Sequence, residues 1–172
     1  MSGPNLKREH EKFVCDELLK ALSVGAEFVR MGNDRDEPDV IYTLHNTTIG
    51  IEVGTAYYEE SDAKQEWTLE RGERAFPSEG LERRAGGVIH NPDKLICEKV
   101  QHEIHDKCGK GYGGADEVWL CVEQRAALSD AESVASCLKH LTIPGGHNFA
   151  RIYIFYLAPV HDSGKYAAVQ IA

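Results

Sequence analysis

The chain has 172 residues, 42% of them hydrophobic and 27% charged, which suits one domain with a proper core. It contains no apolar run approaching the ~20 residues of a membrane helix and opens on no signal-peptide pattern, so a cytoplasmic protein is expected. A net charge of −9 argues against broad, nonspecific nucleic-acid binding, although residues 64–110 carry nine basic side chains against nine acidic ones and are where phosphate contacts are expected.

Residues 5–24 have the spacing of an amphipathic helix, with Leu6, His10, Phe13, Val14, Glu17, Leu18, Ala21 and Leu22 along one stripe. Asn5 reads as its N-cap and Gly25 as its stop. Glu17 falls beside the apolar stripe instead of opposite it. It is either a functional acid or a boundary glutamate reaching to water. Residues 26–31 read as a short strand, and residues 32–37 as a polar turn. Two runs rich in Val, Ile, Tyr and Thr follow, residues 37–44 and 48–55, joined by the turn residues His45-Asn46-Thr47. That pattern predicts an antiparallel hairpin. Asp39 opens its first strand behind Pro38, and Glu52 interrupts the apolar second strand. Strand alternation puts Glu52 on one face with Thr48, Gly50 and Gly54, which leaves space around the carboxylate.

Residues 56–90 are the least regular. Glu59 to Glu73 could be helical, anchored by Trp67 and Leu69. Arg71, Arg74, Arg83 and Arg84 interleave with Glu70, Glu73, Glu79 and Glu82, as in an ion-paired exposed surface or a set of phosphate contacts. Asn91-Pro92-Asp93 opens a helix that Gly109 ends, with Leu95, Ile96, Val100 and Ile104 as its stripe and Lys99 next to it. His102 and His105 stand three apart, not the four of a zinc-protease helix, and adding Cys108 gives three ligands on one helix that do not converge on a tetrahedral ion. Residues 110–114 lack the Gly-Lys-Ser/Thr ending of a phosphate loop. Residues 116–123 form an apolar, central strand, and Ser129 caps a helix running to about Leu141. Residues 151–157 and 166–171 are further strands, the last at an edge. Cys15, Cys97, Cys108, Cys121 and Cys137 include no Cys-x-x-Cys pair and read as buried free thiols.

Two carboxylates gathered on a hairpin repel each other and are costly to desolvate unless a cation joins them, and Mg²⁺ favours one or two carboxylates plus waters and phosphate oxygens. The competing reading makes Asp39 a turn residue and Glu52 an exposed strand residue. Pro38-Asp39 followed by Glu52-Val53-Gly54 resembles the PD-(D/E)-x-K nuclease superfamily, whose motif is Pro-Asp, a variable gap, then an acid, an apolar residue and a lysine. The chain departs from it at the lysine, where Gly54 stands. A helix bearing Ile96, Lys99 and Ile104, a turn bearing Tyr112 and a strand bearing Trp119 and Leu120 extend the likeness.

The resemblance implies an α/β fold, a mixed central β-sheet flanked by helices, as one restriction-endonuclease-like domain over residues 1–172. It implies Mg²⁺ (or Mn²⁺) held by Asp39, Glu52 and the backbone carbonyl of Val53. It also implies a third acid from the first helix, Glu17, and a relocated lysine, Lys99, orienting the attacking water. The expected function is hydrolysis of phosphodiester bonds in DNA. Gly54 supports the alternative, a catalytically inactive nuclease-fold protein that binds nucleic acid or a protein partner; a homodimer is compatible with either, and no membrane is involved. A small-molecule hydrolase would need a nucleophile elbow, a Rossmann fingerprint or a triad, and none is recognisable.

Overall fold

The computed structural model describes residues 3–33, 35–57, 92–125, 131–157 and 166–172. Expectations that fall between these segments (the helix over 59–73, the arginines after it, the caps Asn91 and Ser129, the turn at 162–165) lie outside the described residues.

Helix α1 (Gly3–Ala21) leads into β1 (Glu27–Met31), β2 (Val40–Leu44) and β3 (Thr47–Ala56); then come α2 (Pro92–Cys108), β4 (Glu117–Gln124), α3 (Ala131–Leu138), β5 (Phe149–Leu157) and β6 (Tyr166–Gln170). The strands form one six-stranded sheet whose spatial order is the order of the chain. β1, β2 and β3 are an antiparallel meander, β4 and β5 run parallel to β3, and β6 is antiparallel to β5. The expected mixed sheet flanked by helices is therefore present. The steps from β3 to β4 and from β4 to β5 go the same way across the sheet, so crossovers of one hand leave α2 and α3 on the same face.

Alternation sorts the core into two layers. Val40, Tyr42, Ile49, Ile51, Val53, Trp119, Cys121, Tyr153 and Phe155 pack under α1, against Val14, Cys15, Leu18 and Leu19. Ala56, Val118, Leu120, Val122, Ile152 and Ile154 pack on the opposite side, against Ile96, Val100 and Ile104 of α2. Glu52 belongs by parity to the α2 side. Cys15, Cys121 and Cys137 are buried and all five thiols are free. Among the described residues, no helix is long and apolar enough to cross a membrane.

Helix α1 and the hairpin differ from expectation: α1 begins at Gly3, so Asn5 lies within it instead of capping it. Helix α1 stops at Ala21, because the Ser23 N–H donates to the Lys20 carbonyl and the Val24 N–H to the Leu19 carbonyl. Ser23, with φ of 55°, is the left-handed residue that closes the helix, where Gly25 was expected to. Val24 and Leu19 both pack on the α1-side core, so apolar contact across the cap selects the stopping point. The hairpin turn is two residues long, since Leu44 pairs with Thr47 and both His45 and Asn46 have positive φ. The buried stripe of α1 is rotated from the expected one: Phe13 is exposed, while Glu11, Cys15 and Leu19 are buried.

Candidate active site

The site begins with how Asp39 is held. Before it, the Asn33 side chain accepts the backbone N–H groups of Arg35 (3.0 Å) and Asp36 (3.1 Å), tightening the turn. Arg30 forms two 2.7 Å bonds to Glu37, and the Asn33 N–H adds a third at 3.0 Å. Those donors, Arg30 foremost, pull the Glu37 carboxyl down to about 2. Two glycines then admit Pro38. A side chain on Gly32 would begin 1.7 Å from the Pro38 carbonyl oxygen, and one on Gly50 would begin 2.4 Å from the proline ring. Pro38 is thus clamped between two close backbones, and Asp39 follows at a fixed place.

Across the hairpin, Val40 faces Ile51 and Ile41 faces Gly50, a register that continues to set Asp39 opposite Glu52. The two acids share one face of the sheet. β3 runs on past the start of β2, so its next N–H, that of Val53, has no β2 carbonyl to meet. Asp39 Oδ2 accepts it at 2.8 Å. The Asp39 and Glu52 carboxyls are both raised above their ordinary range, by burial first; the charge of Glu11 adds to the effect on Asp39, and that of Asp39 to the effect on Glu52.

The space over Gly54 is filled, not open. A Cβ there would lie 3.0 Å from Glu103 Oε2 and 3.7 Å from Lys107 Cε, both from α2. Lys107 Nζ donates to Glu52 Oε1 at 2.6 Å, with side chains only 16% and 8% exposed. An ammonium thus arrives from the last turn of a neighbouring helix where the motif would have supplied one from the strand. Burial lowers the Lys107 pKa, but Glu52, Asp39 and Glu103 together raise it above the ordinary value, so this lysine is charged at neutral pH. Burial also raises the Glu103 carboxyl.

Two further groups act on these acids. Glu11 on α1 is buried, paired to Lys7 at 3.0 Å, and its charge acts on Asp39. Tyr112, between α2 and β4, stands beside Glu52 with its hydroxyl buried, close enough for the two side chains to interact by hydrogen bond and charge. Burial and the nearby Glu52 and Asp39 charges push its phenol above the ordinary tyrosine range.

Of the residues expected at the site, Asp39, Glu52 and Val53 come together. Glu17 ion-pairs with Lys20 near the other end of α1, and Glu11 is the acid of that helix beside Asp39. The lysine on Glu52 is Lys107, two helical turns beyond Lys99. Both differences have a geometric signal. At about 100° per residue, Lys107 falls roughly 20° from Ile96, inside the Ile96–Val100–Ile104 stripe, whereas Lys99 falls about 60° to one side of it. Glu11 likewise lies between Val14 and Cys15 on the helical wheel. A charged residue centred on an apolar stripe is one the fold must pair.

Among the described residues, no three His, Cys, Asp or Glu side chains converge in a metal-ligand group. The acidic oxygen donors brought near one another are the Asp39 and Glu52 carboxylates, whose charges act on each other. Comparison with family models, curated proteins and solved structures returns no match to this chain.

Proposed function

We propose that the protein is a metal-dependent nuclease hydrolysing phosphodiester bonds in DNA, a restriction-endonuclease-like domain of PD-(D/E)-x-K type whose lysine comes from α2. The supporting observation is the Lys107–Glu52 ion pair seated over Gly54, opposite Asp39. Asp39, Glu52 and the Val53 carbonyl would hold Mg²⁺ or Mn²⁺. When bound, such an ion supplies an acidified water and offsets charge building on the scissile phosphate.

The chain's own groups do the rest. The Val53 N–H fixes the orientation of Asp39, so its carboxylate is preorganised. Lys107 keeps its proton, and therefore orients the attacking water and stabilises negative charge without acting as the base. Glu11, paired to Lys7, adds a carboxylate to the surroundings of Asp39, which a bound divalent cation would offset.

One observation favours the alternative of an inactive relative that binds nucleic acid or protein: the direct bond from Lys107 occupies a Glu52 oxygen that a metal would use. Plasmid and single-stranded DNA incubated with Mg²⁺ or Mn²⁺ separate the two. The wild type should cleave, and Asp39→Ala and Glu52→Ala should each lose at least ~10²-fold in rate. Cleavage that survives both substitutions removes this site from the reaction.

A further inference from the structure

We infer that Cys97 and Cys137 are a redox pair, which a small-molecule disulfide such as oxidised glutathione converts into one intramolecular disulfide joining α2 to α3. The pair is separate from the proposed nuclease site: Cys97 stands ten residues, about 15 Å of helix, before Lys107 on α2.

The two sulfurs are already in contact. The Cys137 thiol donates a hydrogen bond to the Cys97 sulfur across the helix pair. One turn further along α2, Gln101 clasps the chain that leaves α3: its amide donates to the Thr142 carbonyl at 2.6 Å, and its side-chain oxygen accepts the Thr142 N–H at 2.7 Å. Leu138 and Leu141 pack in the same core layer as Ile96 and Val100. These contacts hold the thiols side by side before any bond forms, and each sulfur sits on a single carbon, so little backbone movement is needed to close one. Access distinguishes this pair from the other thiols. Cys97 is half-buried and reaches solvent, whereas Cys15 and Cys121 are fully enclosed in the α1-side core. Burial, with the bond to Cys97, keeps the Cys137 thiol above its ordinary range, so Cys137 stays protonated and Cys97 reacts first. The Cys97 thiolate attacks one sulfur of the glutathione disulfide, forming a mixed disulfide and releasing one glutathione thiolate. Cys137 then gives up its proton, attacks the Cys97 sulfur and expels the second glutathione. Two protein thiols are oxidised to one disulfide while one glutathione disulfide is reduced to two thiols. The new bond closes the chain from α2 through β4 to α3, which removes freedom from the unfolded chain.

The test incubates the folded wild type with oxidised glutathione, then maps its cysteines by alkylation, proteolysis and mass spectrometry, alongside thermal unfolding. Two of the five thiols should disappear, in a peptide linking Cys97 to Cys137. The unfolding temperature should rise by at least about 4 °C, and dithiothreitol should reverse both changes. Cys97→Ser, which alters the more accessible sulfur, should show neither change. Glutathione retained on Cys97, a linkage between other cysteines or five intact thiols would each overturn the pairing. A linked peptide with a lowered unfolding temperature would overturn it as well, since closing the bond would then break the α2–α3 contact.

Discussion

At the scale of single residues, the feature that sets this cluster apart is a lysine from α2, Lys107, on Glu52, with Gly54 leaving room for the side chains of α2. Lys107 and Glu52 are both largely buried, so neither is well screened by solvent, and removing one strands the other. Lys107→Met should therefore destabilise the protein by about 3 kcal/mol in urea titration, besides lowering cleavage at least ~10²-fold. The pair also predicts a rescue. Gly54→Lys in a Lys107→Ala background should regain part of the cleavage rate. The closest atom to a Cβ at position 54 is Oε2 of Glu103, the end of a flexible side chain, and the Lys107 stem next to it is gone in this background. No recovery in a stably folded double variant would mean that Lys107 is structural. Asp39 and Glu52 were legible in the sequence because a hairpin register needs only local spacing. Lys107 and Glu11 were not singled out, because a helix's own pattern shows a charge on the stripe without showing which strand lies beneath it.

Among elements, the loop from β1 to β2 and Gly50 of β3 act together as a mount for Asp39. Gly50 meets the Pro38 ring and the Ala115 side chain, so Gly50→Ala should cost roughly 1–3 kcal/mol by overpacking, read from the midpoint of denaturant unfolding. Activity should fall further than that loss of stability explains, because the displaced proline carries Asp39 with it. Glu37 predicts a pH effect. Its folded pKa, about 2, lies below that of the unfolded chain. The stability it contributes is present above the unfolded value of about 4.3 and is lost as pH falls through the folded one. Glu37→Gln should accordingly flatten the acid limb of a stability–pH curve between about pH 4 and pH 2 while leaving its neutral plateau shape intact. An unchanged acid limb would detach Glu37 from the mount. The hairpin, the α2 stripe and the apolar β4 were readable from periodicity. The early stop of α1 was not, because the contact of Val24 with Leu19 over the core chose Ser23 as the left-handed residue before the chain reached Gly25.

For the whole molecule, the sheet is a partition that α1 and α2 approach from opposite sides, and the site forms where β3 outruns the start of β2. There α1 delivers Glu11 while α2 delivers Glu103 and Lys107. A chain of net charge −9 draws DNA poorly by itself, so the proposed metal must contribute to binding as well as to chemistry. Chelation with EDTA should weaken the binding of labelled DNA, measured by fluorescence anisotropy, along with abolishing cleavage. Undiminished affinity in EDTA would point to a binding surface away from Asp39 and Glu52. The sequence by itself determined the order of helices and strands and the facing of Asp39 and Glu52, since periods of two and of 3.6 and the reach of a short turn are local properties of the chain. Only the tertiary structure decided which helix residues join those acids. The rotation of α1 and α2 about their axes is set by how Cys15, Leu19, Val100 and Ile104 seat on the two faces of the sheet, and a turn of some tens of degrees exchanges one charged neighbour for another.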